Sequence, residues 1–296
     1  MRRAEIAQKF PFLRRPVGLI KELAGRSHKR VIKTNEDETV EFWSERSHDE
    51  LARVAAALHR DRRQVEDRTG LHEVIGARTM ISNAFIRGVG IEVGAGNRPF
   101  PVPPTATVMY GDIRDNETLK THFADRNITE GGFIDAETFA GTKPESLNFI
   151  ISAHVIEHLA NPLGSIREGM ARLKPGGIYI IVVPDMRFTT DRDRPPTSFD
   201  HLKEDLATGG EPTLLASYVE HCRYVHPLSQ PAFSNDELMP AAEDGLKKRI
   251  DIHVHAWTKE TFSMHLDQLA EPFGFTKCFE SAIRNEALFV LRKNAE

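Results

Sequence analysis

The series of candidate strands between residues 89 and 183 constrains the fold more than any other feature of the sequence. These strands lie at 89–93, 106–112, 132–135, 147–152 and 178–183. Apolar runs of this length are typical of parallel strands that are buried on both faces of a sheet. Helical spacing from Leu163 to Leu173 separates the last two, and residues 275–283 and 286–293 predict an antiparallel hairpin. We therefore expect an open α/β sheet that binds its ligand at the carboxyl ends of its strands.

Composition divides the chain into a helical lead-in and a main domain. Residues 1–85 form the predicted N-terminal helical segment, with a capping box at Ser47 and Glu50 and a second helix over 72–84. Residues 86–296 form the main domain. Within it, residues 185–250 are rich in charged residues, proline and glycine, which predicts a long, irregular insertion on the acceptor side.

Charge and apolar content exclude several classes of protein. The longest apolar run, Ile178–Val183, is far shorter than the ~20 residues of a membrane span. The N-terminus lacks the pattern of a signal peptide, and two cysteines make no disulfide framework, so a cytoplasmic location is expected. The net charge is −4, but residues 1–33 are strongly basic. That arm suits peripheral contact with the anionic inner membrane surface, whereas the acidic remainder makes nucleic acid an unlikely partner.

The glycine turn in "IEVGAGNRP" is the first candidate binding motif. Gly94 and Gly96 allow a ligand to approach the backbone closely, and Glu92 offers a carboxylate. Pro99 stands where a dinucleotide-binding motif needs its third glycine. The prolines that follow also disfavour a helix whose N-terminus would bind a diphosphate; they are Pro99, Pro101, Pro103 and Pro104. A ligand with an ammonium group and a diol is therefore expected.

Acidic residues at the ends of the next two strands extend this site. Asp112 ends the second strand, where a carboxylate accepts hydrogen bonds from a ribose diol. Asp135 ends the third strand and is placed to meet an adenine amino group.

Several of these motifs, in this order, resemble the class I S-adenosylmethionine-dependent methyltransferases. They are "GIEVGAGNRPFPVP", "YGDI", "FIDAE", "SLNFIISAHVIEHLANP" and "LKPGGIYIIVVPD". More narrowly, "HVIEHLANP", "VPDMRFTTDRDRPPTSFDHL" and "HVHAWT" are similar to bacterial methyltransferases associated with glycan and polysaccharide pathways. The resemblance implies a Rossmann-like sheet with strand order 3-2-1-4-5-7-6. It also implies that the donor is bound by Glu92, Gly94, Ala95, Gly96, Asp112, Asp135, Ala136 and Ser152.

His154, Glu157 and His158 are the candidate catalytic residues. On a helix their i, i+3, i+4 spacing would place them on one face. Some metal-dependent O-methyltransferases carry E-x-x-E-H here and a histidine downstream, which implies His255 or His253 as a further ligand. Three interpretations remain open: the residues brace a helix, His154 is a metal-free general base, or His154, Glu157, His158 and His255 bind a divalent metal ion. A zinc peptidase is disfavoured because the segment lies inside a parallel-sheet pattern.

Residues after the fifth strand supply the candidate acceptor pocket. The predicted substrate-binding residues are Asp185, Arg187, Arg194, His201, His253 and Trp257. His253 and His255 alternate, so on a strand they would share a face. The resemblance implies an O-methyltransferase that uses S-adenosylmethionine and acts on a sugar hydroxyl of a glycan, glycolipid or glycosylated metabolite. An RNA ribose 2′-O-methyltransferase and a non-catalytic donor-binding protein are the alternatives.

Overall fold

The computed structural model describes residues 70–125 and 127–295. The basic arm at 1–33 and the helix predicted after Ser47 lie outside the described residues. The first described element is a helix over 70–85, here α1. Within the described ranges, no helix is both long enough and apolar enough to cross a membrane.

A seven-stranded sheet forms the centre of the molecule, in the order β3-β2-β1-β4-β5-β7-β6. Its strands are β1 (Gly88–Val93), β2 (Ala106–Asp112), β3 (Gly132–Phe133), β4 (Leu147–Ala153), β5 (Leu173–Pro184), β6 (Phe275–Ile283) and β7 (Glu286–Lys293). Strands β1 to β5 pair in parallel, and β7 is antiparallel to both β5 and β6. The predicted mostly parallel Rossmann-like sheet and its strand order are therefore confirmed.

Six further helices follow α1 in the described chain. They are α2 (Asn116–His122), α3 (Pro162–Arg172), α4 (Phe199–Thr208), α5 (Leu214–Glu220), α6 (Asn235–Lys247) and α7 (Lys259–Leu269). In four of them the residue before the helix accepts a hydrogen bond from a free backbone N–H through its side chain: Asp115 for α2, Asn161 for α3, Ser198 for α4 and Thr258 for α7.

Two apolar layers cover the faces of the sheet. One contains Ile91, Ile150 and Tyr179 from the strands, packed with residues of α3 and α7. The other contains Phe149 and Ile151, packed with Ile81 of α1 and Phe100. Because both faces are covered, the central strands are apolar along their whole length, as the sequence predicts.

The insertion is more ordered than its composition predicts. Residues 185–250 hold α4, α5 and α6, and the expectation of an irregular segment is wrong. These helices bury their own small core, which comprises Leu214, Tyr218, Cys222, Ala242, Ile252 and Val254. Helical apolar spacing in α5 and α6 is diluted by charged residues, so composition alone hides it.

The connection from β1 to β2 departs from the usual βαβ pattern. No helix lies between Val93 and Ala106, as the prolines of this segment predict. The loop instead runs from the carboxyl edge of the sheet along the face that α1 covers, where the Phe100 side chain is buried. This edge is therefore left to the turn at Gly94–Gly96 and to side chains from neighbouring strands.

Candidate functional site

The glycine turn after β1 is shaped by close contacts that only glycine permits. Gly94 and Gly96 have φ angles of +66° and +55°. A Cβ atom on Gly94 would lie 2.4 Å from Cγ2 of Val155, and one on Gly96 would lie 2.6 Å from the Phe123 ring. The turn therefore packs directly against the segment that follows β4.

Glu92 holds the proline-rich loop that follows the glycine turn. Its carboxylate is 1% exposed and accepts a hydrogen bond from the backbone N–H of Phe100 at 2.8 Å. Burial raises the pKa of Glu92 to about 8, against the lowering effects of the Phe100 N–H and of the nearby Arg78. Glu92 was predicted to bind the donor; its oxygens are instead engaged with the protein.

A small cleft opens beside this turn at the ends of β1 and β2. Its empty volume is about 220 Å³, part of which is open solvent. It is lined by Ala95, Gly96, Tyr110, Gly111, Asp112, Arg114, Asn116, Leu119, Thr129, Gly131 and Gly132. The structure thus brings together three predicted donor residues, Ala95, Gly96 and Asp112. One Asp112 oxygen accepts from the Arg114 N–H at 2.8 Å.

The other predicted donor residues lie outside the lining of this cleft. Asp135 follows β3 in a turn, where its carboxylate accepts hydrogen bonds from the Glu137 N–H and the Thr138 hydroxyl. The Ala136 carbonyl accepts from the Ser165 hydroxyl at 2.6 Å. Ser152 is buried near the end of β4. The third strand stops at Phe133, two residues earlier than predicted, which leaves Asp135 in a turn.

His154, Glu157 and His158 do not share a helix face, so that expectation is wrong. His154 follows β4 with a φ of +56°, and residues Ile156–His158 form a single 3-10 turn. The strained backbone at His154 lies at a strand end, where such conformations are often functional. The turn carries Glu157 inward and leaves the His158 side chain partly exposed.

His154 lies between two carboxylates. Its Nε2 is 3.0 Å from Glu286 Oε1, and its Nδ1 is 3.5 Å from Glu157 Oε1. Arg78 of α1 binds Glu286 through two hydrogen bonds. Burial alone would lower the pKa of His154, but its two carboxylate partners outweigh burial and raise the pKa to about 9. This favours a protonated His154 at neutral pH and disfavours the general-base interpretation, which stays a prediction.

A cluster of three potential metal ligands lies next to this histidine. Glu157, His158 and His253, here called the β4-end cluster, each place a ligand atom within 4.8 Å of the others. The Glu157 side chain is 0% exposed, and neither of its oxygens has a hydrogen-bond partner among the described residues. Burial acts to raise the pKa of Glu157, but His154, His158 and His253 lower it. The site therefore holds a buried anion.

Both histidines of the β4-end cluster are oriented by aspartates. His158 Nδ1 lies 2.9 Å from Asp251 Oδ1, and His253 Nδ1 lies 2.6 Å from Asp191 Oδ2. The hydrogen bond with His158 contributes most to lowering the pKa of Asp251, to about 2. Carboxylates that bind Nδ1 leave Nε2 free, an arrangement typical of metal-binding histidines.

His255 lies apart from the β4-end cluster, contrary to the predicted ligand set. Residues 251–255 form no strand, so His253 and His255 do not share a face. His255 is buried and groups with His201 and Asp205, here called the insertion cluster. Burial lowers the pKa of His255 to about 3, which keeps its ring neutral.

The remaining predicted substrate residues are largely engaged with the protein. Trp257 is 1% exposed and stacks on His255, so it is not available to a ligand. Arg194 is 4% exposed and binds Asp191, Glu220 and two backbone carbonyls. Asp185 is buried and pairs with Arg187, whose own side chain is half exposed. The acceptor roles of Trp257 and Arg194 stay predictions, although both side chains are packed into the protein.

Three carboxylates of this region were not predicted from the sequence. Glu286 and Asp251 contact His154 and His158 from 132 and 93 residues away. Asp191 lies 62 residues from His253, which it binds. No local spacing signals such pairs, because the fold alone brings them together.

The chain is similar to known proteins at low sequence identity. No protein-family model matches the chain. The chain is 26% identical over 121 residues to the ubiquinone biosynthesis O-methyltransferase of Parvibaculum lavamentivorans, a match that covers 40% of this chain and 47% of the relative. The chain thus spans about half the length of that curated relative.

Two solved structures are similar over most of the chain. An S-adenosylmethionine-dependent methyltransferase from Thermotoga maritima has a TM-score of 0.42 and 14% identity, covering 78% of this chain and 96% of its own. One from Methanosarcina mazei has a TM-score of 0.41 and 14% identity, covering 73% and 98%. From its own strand order, the chain has the sheet topology that the resemblance to class I S-adenosylmethionine-dependent methyltransferases implied.

Proposed function

We propose that this protein is an S-adenosylmethionine-dependent O-methyltransferase that acts, with a divalent metal ion, on a sugar hydroxyl of a glycan, glycolipid or glycosylated metabolite. One observation carries the proposal. The carboxyl ends of the adjacent strands β2, β1 and β4 carry Asp112, the glycine turn and the β4-end cluster. In an open α/β sheet, this edge is where ligands bind.

The donor fits the glycine turn and the cleft beside it. Gly94 and Gly96 hold conformations and contacts that a Cβ would block, so backbone forms this wall of the site. Asp112 lines the cleft at the end of β2 and would accept hydrogen bonds from the ribose diol. S-adenosylmethionine supplies a methyl group that its sulfonium charge already activates. The main tasks of the protein are then to bind, orient and exclude water.

A divalent metal ion fits the β4-end cluster. Glu157 is a buried anion without a hydrogen-bond partner in the described chain, and His158 and His253 are oriented by Asp251 and Asp191. One carboxylate and two imidazoles suit zinc, iron or manganese better than magnesium. Such an ion would polarise the acceptor hydroxyl and orient it through a neighbouring oxygen.

His154 acts in this proposal as a positioning residue. Its ring is a cation held between Glu157 and Glu286. It therefore fixes the Glu157 carboxylate and balances its charge. Val155, the next residue, packs against Gly94, so the same segment joins the donor turn to the β4-end cluster.

The acceptor class follows from the chemistry of the site and from resemblance. A metal ion that binds two neighbouring oxygens favours vicinal diols, which sugars carry. The similarity of "HVIEHLANP" and "HVHAWT" to methyltransferases of glycan pathways supports the same class. The sequence match to an O-methyltransferase of ubiquinone biosynthesis supports transfer to oxygen.

Calorimetry tests the donor first. We expect S-adenosylhomocysteine to bind and NAD not to bind. Asp112→Asn should weaken nucleoside binding by about 10–100-fold, because a charge-assisted hydrogen bond contributes about 1.5–3 kcal/mol. Asp193→Asn, at an exposed residue, is the matched control. NAD binding, or unchanged affinity in Asp112→Asn, would contradict the donor assignment.

Methyl transfer from a radiolabelled donor tests the acceptor. The panel should compare sugars with vicinal hydroxyls, sugars whose neighbouring hydroxyl is removed, catechols and RNA, with and without zinc, iron or manganese. We expect zinc-, iron- or manganese-dependent transfer to intact diol sugars. Transfer to RNA or catechols alone would refute the sugar assignment and keep the donor assignment.

A further inference from the structure

The insertion cluster is a second group of potential metal ligands that the proposed function does not use. His201 and Asp205 lie four residues apart on one face of α4, and His255 approaches from the segment between α6 and α7. Asp205 and His255 are 0% exposed at their side chains, whereas His201 is 28% exposed. The cluster is therefore closed by protein on all sides except that of His201.

The distances within this cluster are too long for good hydrogen bonds. Asp205 Oδ2 lies 3.4 Å from His201 Nε2 and 3.6 Å from His255 Nε2. Hydrogen bonds between such groups normally measure about 2.7–3.2 Å. In a tetrahedral zinc site with bonds of about 2.0–2.1 Å, neighbouring ligand atoms lie about 3.3 Å apart. The observed spacing is close to that of ligands around one ion.

The converging atoms also lack other partners. Asp205 Oδ2, His201 Nε2 and His255 Nε2 are all buried atoms without a hydrogen-bond partner in the described part of the chain. Leaving such groups unpaired is costly, about 1–3 kcal/mol for each group. The second Asp205 oxygen, Oδ1, accepts from the Thr213 hydroxyl, which orients the carboxylate. The three ligand atoms are thus held in place and unsatisfied.

The insertion cluster shares no ligand with the β4-end cluster. His253 belongs to the β4-end cluster and His255 to the insertion cluster, and the backbone N–H of His255 donates to the Glu157 carbonyl at 3.0 Å. An ion bound to His201, Asp205 and His255 would join α4 directly to the segment that carries His253. It would thereby fix the position of a ligand of the β4-end cluster.

We propose that His201, Asp205 and His255 form a second, separate metal site, which binds zinc and holds α4 of the insertion against residues 251–257. Two imidazoles and one carboxylate suit zinc, and a water molecule would complete such a three-ligand set. The site does not depend on the proposed methyltransferase activity, because it shares no ligand with the β4-end cluster.

Zinc stoichiometry of the full chain tests this proposal. The protein is stripped with a chelator, equilibrated with zinc, dialysed and measured by mass spectrometry of the metal. We expect His201→Gln to bind one equivalent less than the wild type. His226→Gln, at a half-buried histidine of the same insertion that stacks on Phe233, should bind as much as the wild type. His158→Gln should lose one equivalent from the β4-end cluster.

These variants separate the two sites. If His201→Gln loses zinc and His158→Gln does not, the second site stands and the metal of the proposed function fails. If His158→Gln alone removes all bound zinc, or if His201→Gln binds as much as the wild type, the second site is refuted. Circular dichroism confirms that each variant is folded.

Anomalous diffraction from zinc-soaked wild-type crystals gives an independent check. A peak between Asp205 Oδ2 and the Nε2 atoms of His201 and His255 would support the proposal. A water molecule at that place, with zinc bound at the β4-end cluster, would overturn it.

Discussion

Two buried glutamates at the ends of adjacent strands behave in opposite ways. The carboxylate of Glu92 accepts a hydrogen bond from the backbone N–H of Phe100, and burial raises the pKa of Glu92 to about 8. Glu157, after β4, is more deeply buried, yet its histidine neighbours lower its pKa. Desolvation acts on both in the same direction, so the neighbours decide the difference.

The same sheet edge thus carries one glutamate that stabilises a loop and another that lies in a candidate metal site. Near neutral pH Glu92 is largely protonated, accepts a backbone hydrogen bond and braces a loop. Glu157 is anionic, lacks a hydrogen-bond partner within residues 70–125 and 127–295, and lies among three histidines. At the end of β1 a ligand would therefore meet backbone atoms, whereas at the end of β4 it would meet charged side chains.

The largest expected effect comes from Glu157→Gln. Loss of a carboxylate that orients a metal ligand costs about 10–100-fold in metal affinity or activity, so loss of a direct ligand should cost at least ~100-fold. Metal content and the rate of methyl transfer are the measurements. Glu243→Gln, at an exposed residue of α6, is the control. Full activity in Glu157→Gln would show that the two glutamates do not differ in function.

Gly94→Ala tests the backbone wall at the end of β1. Its φ of +66° and the 2.4 Å contact with Val155 predict a loss of about 1–3 kcal/mol in stability and at least ~10-fold weaker donor binding. Calorimetry and thermal unfolding measure the two effects. Gly76→Ala, in α1 with open space at its Cβ, should be neutral or slightly stabilising. Equal behaviour of the two variants would exclude a shape-determining turn.

Asp251→Asn tests the role of the aspartate that orients His158 after β4. The change removes the carboxylate that orients His158 and should weaken metal binding at the β4-end cluster by about 10-fold. Zinc titration of the His201→Gln background isolates this site. Because Asp251 also pairs with Arg114 of the donor cleft, donor affinity is measured in parallel and should fall less than metal affinity. An equal loss of both would mean that the two ends are coupled.

Glu92→Gln should have the smallest effect of these variants, and its effect on stability should depend on pH. Because the folded pKa of Glu92 is raised, its contribution to stability is present at low pH and lost as pH rises from about 4.5 through about 8. The glutamine variant keeps an acceptor for Phe100 but does not ionise. Its stability advantage over the wild type should grow as pH rises from 5 to 8 and exceed ~1 kcal/mol, because each unit between the two pKa values is worth about 1.4 kcal/mol. Identical pH profiles in thermal unfolding would contradict the raised pKa.

Local patterns were sufficient to predict the sheet. The predicted bounds of β2, β6 and β7 match the observed ones, because their apolar residues alternate or run between clear turns. The prolines after Gly96 correctly predicted a connection without a helix.

The charged pairs of the site were beyond the reach of such patterns. His154 contacts Glu286 and His253 contacts Asp191 across 132 and 62 residues, and only the fold determines these pairs. The alternation of His253 and His255 suggested one shared face, but the absence of a strand over 251–255 sends the rings to different clusters. The insertion was misjudged because its helices bury a small core of their own.

Arg78 has a practical consequence for anyone who shortens this protein. A minimal version starting at residue 86 would retain every candidate ligand named above, yet it would lack the guanidinium that neutralises Glu286. That carboxylate would then compete with Glu157 for the ring of His154. The helix α1 thus supplies both apolar cover for one face of the sheet and the charge partner of Glu286, so trimming it should disturb the sheet and the surroundings of His154 together.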